Sequence, residues 1–248
     1  MDDIGSPAAT GTATGAAAPP QAGPVRPRGL VDLRGLRGEP FVLSYPAGAV
    51  VVVSGLPGSG KSTLLHRLSA AAPAVDPRTV HVACEAVMPA WLPYAVYRPW
   101  ARVEHVRWLR AQVRAGGPFL VHDCGSRPWL RRWLSRTAGR QGRALHLVLL
   151  DVTPDEALAG QRARGRWASR RVFLRHRQGL ERLLGRLPEP GAVPEGRAVP
   201  SPVAEAASVV LLDGVSRERV VTAAFDDDGA RAVARPPAGP VRRWLNDR

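Results

Sequence analysis

The chain has 248 residues and carries 35 Lys+Arg against 21 Asp+Glu, a formal net charge of +14. Its 45% hydrophobic content supplies material for a real core and excludes a fully disordered chain. The two cysteines, Cys84 and Cys124, exclude a disulfide framework and a four-thiolate zinc site.

Residues 1–38 are rich in Ala, Gly, Pro and Thr and poor in large apolar groups, so a disordered tail is expected there. A single α/β domain is expected over 39–226, and a second tail over 227–248. Phe41 to Tyr45 predicts a short strand, and Ala49 to Val53, with four consecutive valines, a buried one. A helix follows from Lys61 to about Ala72, and Thr79 to Ala83 reads as the next strand. Residues 84–98, with Pro89, Pro93 and Pro99 close by, read as mostly irregular.

Three strand–helix units come next. A helix near 100–115 leads through Gly116-Gly117 into a strand from Phe119 to His122. The helix after Arg127 sets Trp129, Leu130, Trp133 and Leu134 on one face and Arg131, Arg132 and Arg136 off it. Ala144 to Leu150 predicts a strand, and Thr153-Pro154 with Glu156 a capped helix start. His176, Leu180, Leu183, Leu184 and Leu187 run at helical spacing after Val172. Ser208 to Leu212 reads as the last strand and Glu218 to Phe225 as the last helix. Strands alternating with helices imply a parallel sheet covered on both faces.

Between Pro40 and Gly60 the longest uncharged stretch is broken by Pro46, Gly48, Gly55 and Pro57, which a membrane span would not carry together. Asp2 and Asp3 stand where a secretory leader would be apolar, so a cytoplasmic protein is expected.

Gly55-Leu56-Pro57-Gly58-Ser59-Gly60-Lys61-Ser62-Thr63 fits the phosphate-loop pattern G-x-x-x-x-G-K-[ST]. Its glycines let backbone N–H groups converge on an anion, and the following helix aims its N-terminus at the same place. Lys61 suits the β- and γ-phosphates, expected in solvated phosphate space, and Ser62 suits Mg²⁺. The chain holds 34 arginines and one lysine, and that lysine is Lys61. A coding bias that removed every other lysine left the one that a point-charge site needs. Asp123, at the end of an apolar strand, is the candidate second magnesium residue. Cys124 follows it, where ATP-hydrolysing motors often carry a glutamate.

With these motifs the chain resembles small P-loop kinases: gluconate kinase, the kinase part of polynucleotide kinase and zeta-toxin-like proteins, often grouped as AAA-family ATP-binding proteins. The likeness covers residues 49–225 and rests on the phosphate loop, the Asp123 strand, Leu149-Leu150-Asp151 with Thr153 to Leu158, and Arg162-x-Arg164-Gly165-Arg166. The resemblance implies a P-loop three-layer sandwich with strand order 2-3-1-4-5, a lid carrying Arg162, Arg164 and Arg166, and an adenine-bordering loop at Asp213. It also implies an acidic residue after the second strand that orients or deprotonates the acceptor hydroxyl, and Glu85 is the candidate. ATP and Mg²⁺ are the implied cofactors. Transfer of the ATP γ-phosphoryl group to a hydroxyl of a small molecule or nucleic-acid end is the leading expectation. A nucleotide-dependent regulator or weak ATPase is the alternative. Nucleic-acid binding through Arg131, Arg132, Arg136, Arg170, Arg171, Arg175 and Arg177 is a third.

Overall fold

The computed structural model describes residues 23–124, 127–165, 168–187, 201 and 203–226. In chain order the strands are β1 (Gly23–Val25), β2 (Gly29–Asp32), β3 (Phe41–Pro46), β4 (Val50–Gly55), β5 (Ala74–Val75), β6 (Phe119–His122), β7 (Leu145–Leu150), β8 (Ser208–Leu212) and β9 (Val220–Asp226). The helices are α1 (Lys61–Leu68), α2 (Pro77–Glu85), α3 (Tyr94–Ala115), α4 (Pro128–Gly139), α5 (Pro154–Arg162), α6 (Arg170–Leu184) and α7 (Gly214–Arg219).

Six parallel strands form the main sheet in the order β2-β8-β7-β4-β6-β5. Reading β4, β5, β6, β7 and β8 as strands 1 to 5, the expected order 2-3-1-4-5 is present, with β2 added beyond the fifth. Val50 to Val53 of β4 are each at most 1% exposed. Because side chains alternate across a strand, Val50 and Val52 join α3, α4 and α6 on one face while Val51 and Val53 join α1 on the other. Each valine so buried contributes about 1.5–3 kcal/mol relative to exposure. The α1 face is shared with a second parallel sheet, β1-β3-β9, which supplies Phe41, Leu43, Tyr45, Val220 and Ala223 to that core.

Four expectations are corrected. Thr79 to Ala83 is helix, because Asp76 caps α2 by accepting from Arg78 N at 2.8 Å and Pro77 pre-sets its first turn. The second strand is the two-residue β5, just before that cap. The long α3 starts at Tyr94 rather than near 100, with Pro99 inside it, while 86–93 is irregular as expected. Glu218 to Phe225 is mostly β9, whose pairing with β3 overrides the helical pattern. Finally, 23–38 belongs to the folded body. Leu30 is 3% exposed in the main core, and β2 borrows from β8 the core that its four residues lack. The expected tail over 1–22 and that over 227–248 lie outside the described residues.

Candidate functional site

In a parallel sheet the ligand-binding crevice lies beyond the carboxyl ends of the strands. There β4 runs into the phosphate loop, with Gly58 at φ 92° and Gly60 at φ 88°, conformations that favour glycine. Gly60 caps α1, and Ser62 and Thr63 stand exposed in its first turn. Ser59 Oγ is buried without a hydrogen-bond partner. Gly55 packs so closely on Leu150 and Ser59 that a Cβ would fill the space. A cradle of backbone N–H groups with an orphaned hydroxyl fits a phosphate chain.

Lys61 departs from the solvated placement expected. It is 4% exposed, and its Nζ donates to Gly55 O at 2.8 Å and Leu56 O at 2.7 Å. Burial lowers its pKa, opposed by the charges of Cys124 and Asp123 close by. The ammonium thus braces the loop from within.

Three further elements hold the loop from outside. On α5, Gln161 Nε2 donates to Pro57 O at 3.0 Å, and Gly160 lies so near the Gly58 carbonyl that only glycine fits. Arg217 of α7 donates to Ser59 O, while Arg67 of α1 ties down the carbonyls of Arg217 and Val220 at 3.0 and 2.9 Å. Arg164 donates to Thr63 Oγ1 at 2.8 Å. Between these walls lies a cavity of about 490 Å³ bordered by the loop, Glu156, Arg164, Gly214 and Arg217. It is the size of a small-ligand pocket.

Asp213 borders this cavity through its neighbour Gly214, but its carboxylate is a cap. It accepts from Val215 N, Ser216 N and Gly35 N at 3.0, 2.8 and 2.7 Å. Burial pushes the Asp213 carboxyl up, yet these backbone donors win and hold it below its ordinary value. Arg34 bridges Asp32 and Asp151 at 2.6 and 2.7 Å, so the segment after β2 secures the starts of both α5 and α7.

Asp123 is 4% exposed, accepts from Ser54 Oγ at 3.0 Å and lies 3.4 Å from Arg131. Arg131 is itself 3% exposed and reaches Glu205 at 3.3 Å, so it leaves the proposed nucleic-acid surface. Ser62 adjoins the loop lysine, and the Asp123 carboxylate lies close enough to raise that lysine's pKa. Among the described residues no group of three or more His, Cys, Asp and Glu could enclose a metal.

The acidic residue after the second strand is Asp76, which sequence reasoning missed. It follows β5 directly and faces His122 Nδ1 at 3.4 Å. Burial raises its pKa, but the His122 interaction and the Arg78 N–H hold the carboxyl below its ordinary value. Glu85 is corrected: it ends α2 and is exposed, about 13 Å of helix away from that strand end. The Asp76-Pro77 pair was the available signal, as a capping residue followed by a first-turn proline. Arg217 carried none, since 158 residues separate it from Ser59. Of the three arginines expected in a lid, Arg162 is exposed at the end of α5, Arg164 touches α1, and Arg166 lies outside the described residues.

No curated protein matches the chain significantly. Solved structures resemble it at low identity. The Deinococcus radiodurans tunicamycin resistance protein is 20% identical, with a TM-score of 0.37, over 54% of this chain and 80% of that one. A structure from the PezAT toxin–antitoxin system of Streptococcus pneumoniae is 15% identical, with a TM-score of 0.41, over 60% and 65%. A sugar kinase from Janibacter sp. is 17% identical, with a TM-score of 0.34, over 68% and 91%. None of these carries an argument about activity. No helix among the described residues is long and apolar enough to cross a membrane. The model of the AAA domain family AAA_33 matches residues 50–187, from β4 through α6, and the chain belongs to that family of P-loop nucleotide-binding proteins.

Proposed function

We propose that the protein transfers the γ-phosphoryl group of ATP to a hydroxyl of a small molecule or nucleic-acid end, as a relative of the gluconate kinase, polynucleotide kinase and zeta-toxin-like group. The observation that carries this reading is Asp76 at the carboxyl end of β5. Its carboxylate, held by His122, lies in the same charge cluster as Lys61. A motor-type hydrolase has no need of a carboxylate there, whereas an acceptor hydroxyl does.

In this proposal the loop N–H groups and Lys61 hold the phosphates, and the cavity beside Arg217 takes the nucleoside. Ser62 and Asp123 would hold Mg²⁺, which would supply charge neutralisation to the phosphates. Asp76 orients the acceptor hydroxyl and takes its proton as the new O–P bond forms and the bridging oxygen leaves with ADP. Arg164, with Arg162 and Arg166, delivers charge to the transferring group.

The test is Asp76→Asn, compared with wild type for ATP binding and for ATP-dependent phosphorylation of a panel of hydroxyl compounds. Transfer should fall by about 10²–10⁴ with ATP affinity kept. A variant as active as wild type sinks the assignment of the base. ATP turnover that no acceptor in the panel accelerates favours the regulator or weak ATPase instead.

A further inference from the structure

The outer face of α6 is not used by the proposed reaction. Phe173, Leu180 and Leu183 turn the other face into the core and thereby fix the helix's rotation. Arg170, Arg171, Leu174, Arg175 and Gln178 then line one shallow surface depression. Leu174 is 42% exposed within it.

Among the described residues, charge on this face is not neutralised internally. Glu181 is the one acidic residue of α6, and it is taken by Arg177 at 2.6 Å. Among the described residues no carboxylate lies within ion-pair distance of Arg170, Arg171 or Arg175. Arg171 and Arg175 are one turn apart, about 6 Å along the axis, so they address two separate anions. Guanidinium forks match phosphate oxygens in geometry.

We infer that this face of α6 binds the phosphate backbone of a single-stranded nucleic acid, with Leu174 against a base or sugar and Gln178 as a polar contact. The surface is independent of phosphoryl transfer. A single strand fits better than a duplex, because only an unpaired strand can turn a base face onto Leu174 between the arginines. A bilayer fits poorly, since the helix's apolar stripe is already committed to the core and leaves one leucine for lipid. The net charge of +14 draws any such polyanion in from a distance.

The experiment is fluorescence anisotropy of the full chain with a labelled dT20 strand across NaCl concentrations. Three phosphate contacts predict that the triple variant Arg170→Gln, Arg171→Gln, Arg175→Gln loses about 2 from the slope of log K against log salt, and at least tenfold in affinity. Arg175→Gln alone should remove about 0.7 from the slope. Removing equal charge from α4 (Arg132→Gln, Arg136→Gln, Arg140→Gln) should leave the slope within half a unit of wild type. ATP binding should be unchanged in all of these variants, which keeps a failed fold apart from a lost surface. Equal weakening by both triples overturns the inference, as does the absence of dT20 binding by wild type. Tighter binding of a 20-base-pair duplex or of phosphatidylserine vesicles also overturns it.

Discussion

Gly160→Ala sets two physical effects against each other. In an isolated helix the change is favourable, since alanine outranks glycine by about 1 kcal/mol. In α5, however, a Cβ at position 160 falls inside hard contact with the Gly58 carbonyl oxygen, and Gly58 is held at φ 92° between strand and helix. Backbone cannot yield as a side-chain tip can, so either α5 or the phosphate loop must shift. Overpacking of this kind costs about 1–3 kcal/mol, which outweighs the helix gain over most of its range. The expected result is a net loss of up to about 2 kcal/mol, or a fall in Tm of several degrees for a domain of this size. The displaced loop should also bind ATP at least tenfold more weakly, about 1.4 kcal/mol. Thermal melting and titration with a fluorescent ATP analogue measure both. A variant with raised Tm and unchanged ATP affinity would show that propensity alone governs the site and that α5 does not press on the loop.

Lys61→Ala should abolish ATP turnover and also lower Tm, because it removes the donor from the Gly55 and Leu56 carbonyls; thermal melting without nucleotide reads this directly. Asp123→Asn should impair Mg²⁺-dependent turnover far more than metal-free nucleotide binding, measured by titration with and without EDTA. Equal loss of both would make Asp123 structural. Acid should destabilise the fold through His105 and His146, whose burial pushes each down to about 4. The unfolded chain takes up their protons below about pH 6.5 while the folded chain resists, so stability is full above 6.5 and falls by about 1.4 kcal/mol per pH unit for each, down to about pH 4. Denaturant melts across that window test it, and His146→Phe should flatten the curve.

The elements readable from sequence were those whose signals are local. Four valines followed by a glycine-rich loop define β4 and the phosphate loop without reference to anything distant, and Thr153 with Glu156 forms the expected capping box. The errors came where partners are remote or two signals overlap. Thr79 to Ala83 alternates like a strand, yet Val80 and Cys84, four apart, are the buried pair of a helix that Asp76 and Pro77 start. With that boundary moved, the carboxylate directly after the second strand is Asp76 and not Glu85. Residues 23–38 look too poor in apolar groups to fold, and by themselves they are; β8 and Asp213, nearly 180 residues away, supply what they lack. Arg131 was assigned to an exposed face by helical spacing, which says nothing of Asp123 and Glu205 waiting beside it.

Strand pairing also sets an order on synthesis. β4, β6 and β7 lie within about 100 residues of one another and can assemble while the chain is still being made. β2 pairs with β8, and β3 with β9, so these strands must wait for partners made nearly 180 residues later. Until residues 203–226 emerge, β2 has no place in the main sheet and the Tyr45 side of the core stays uncovered. Long-range parallel pairings of this kind form slowly and leave unpaired edges open to other chains. A ribosome that stalls before residue 203 would therefore release a chain whose phosphate loop is complete in sequence but whose β2 has nothing to pair with and whose β3 lacks one of its two neighbours, a ready substrate for chaperones and proteases.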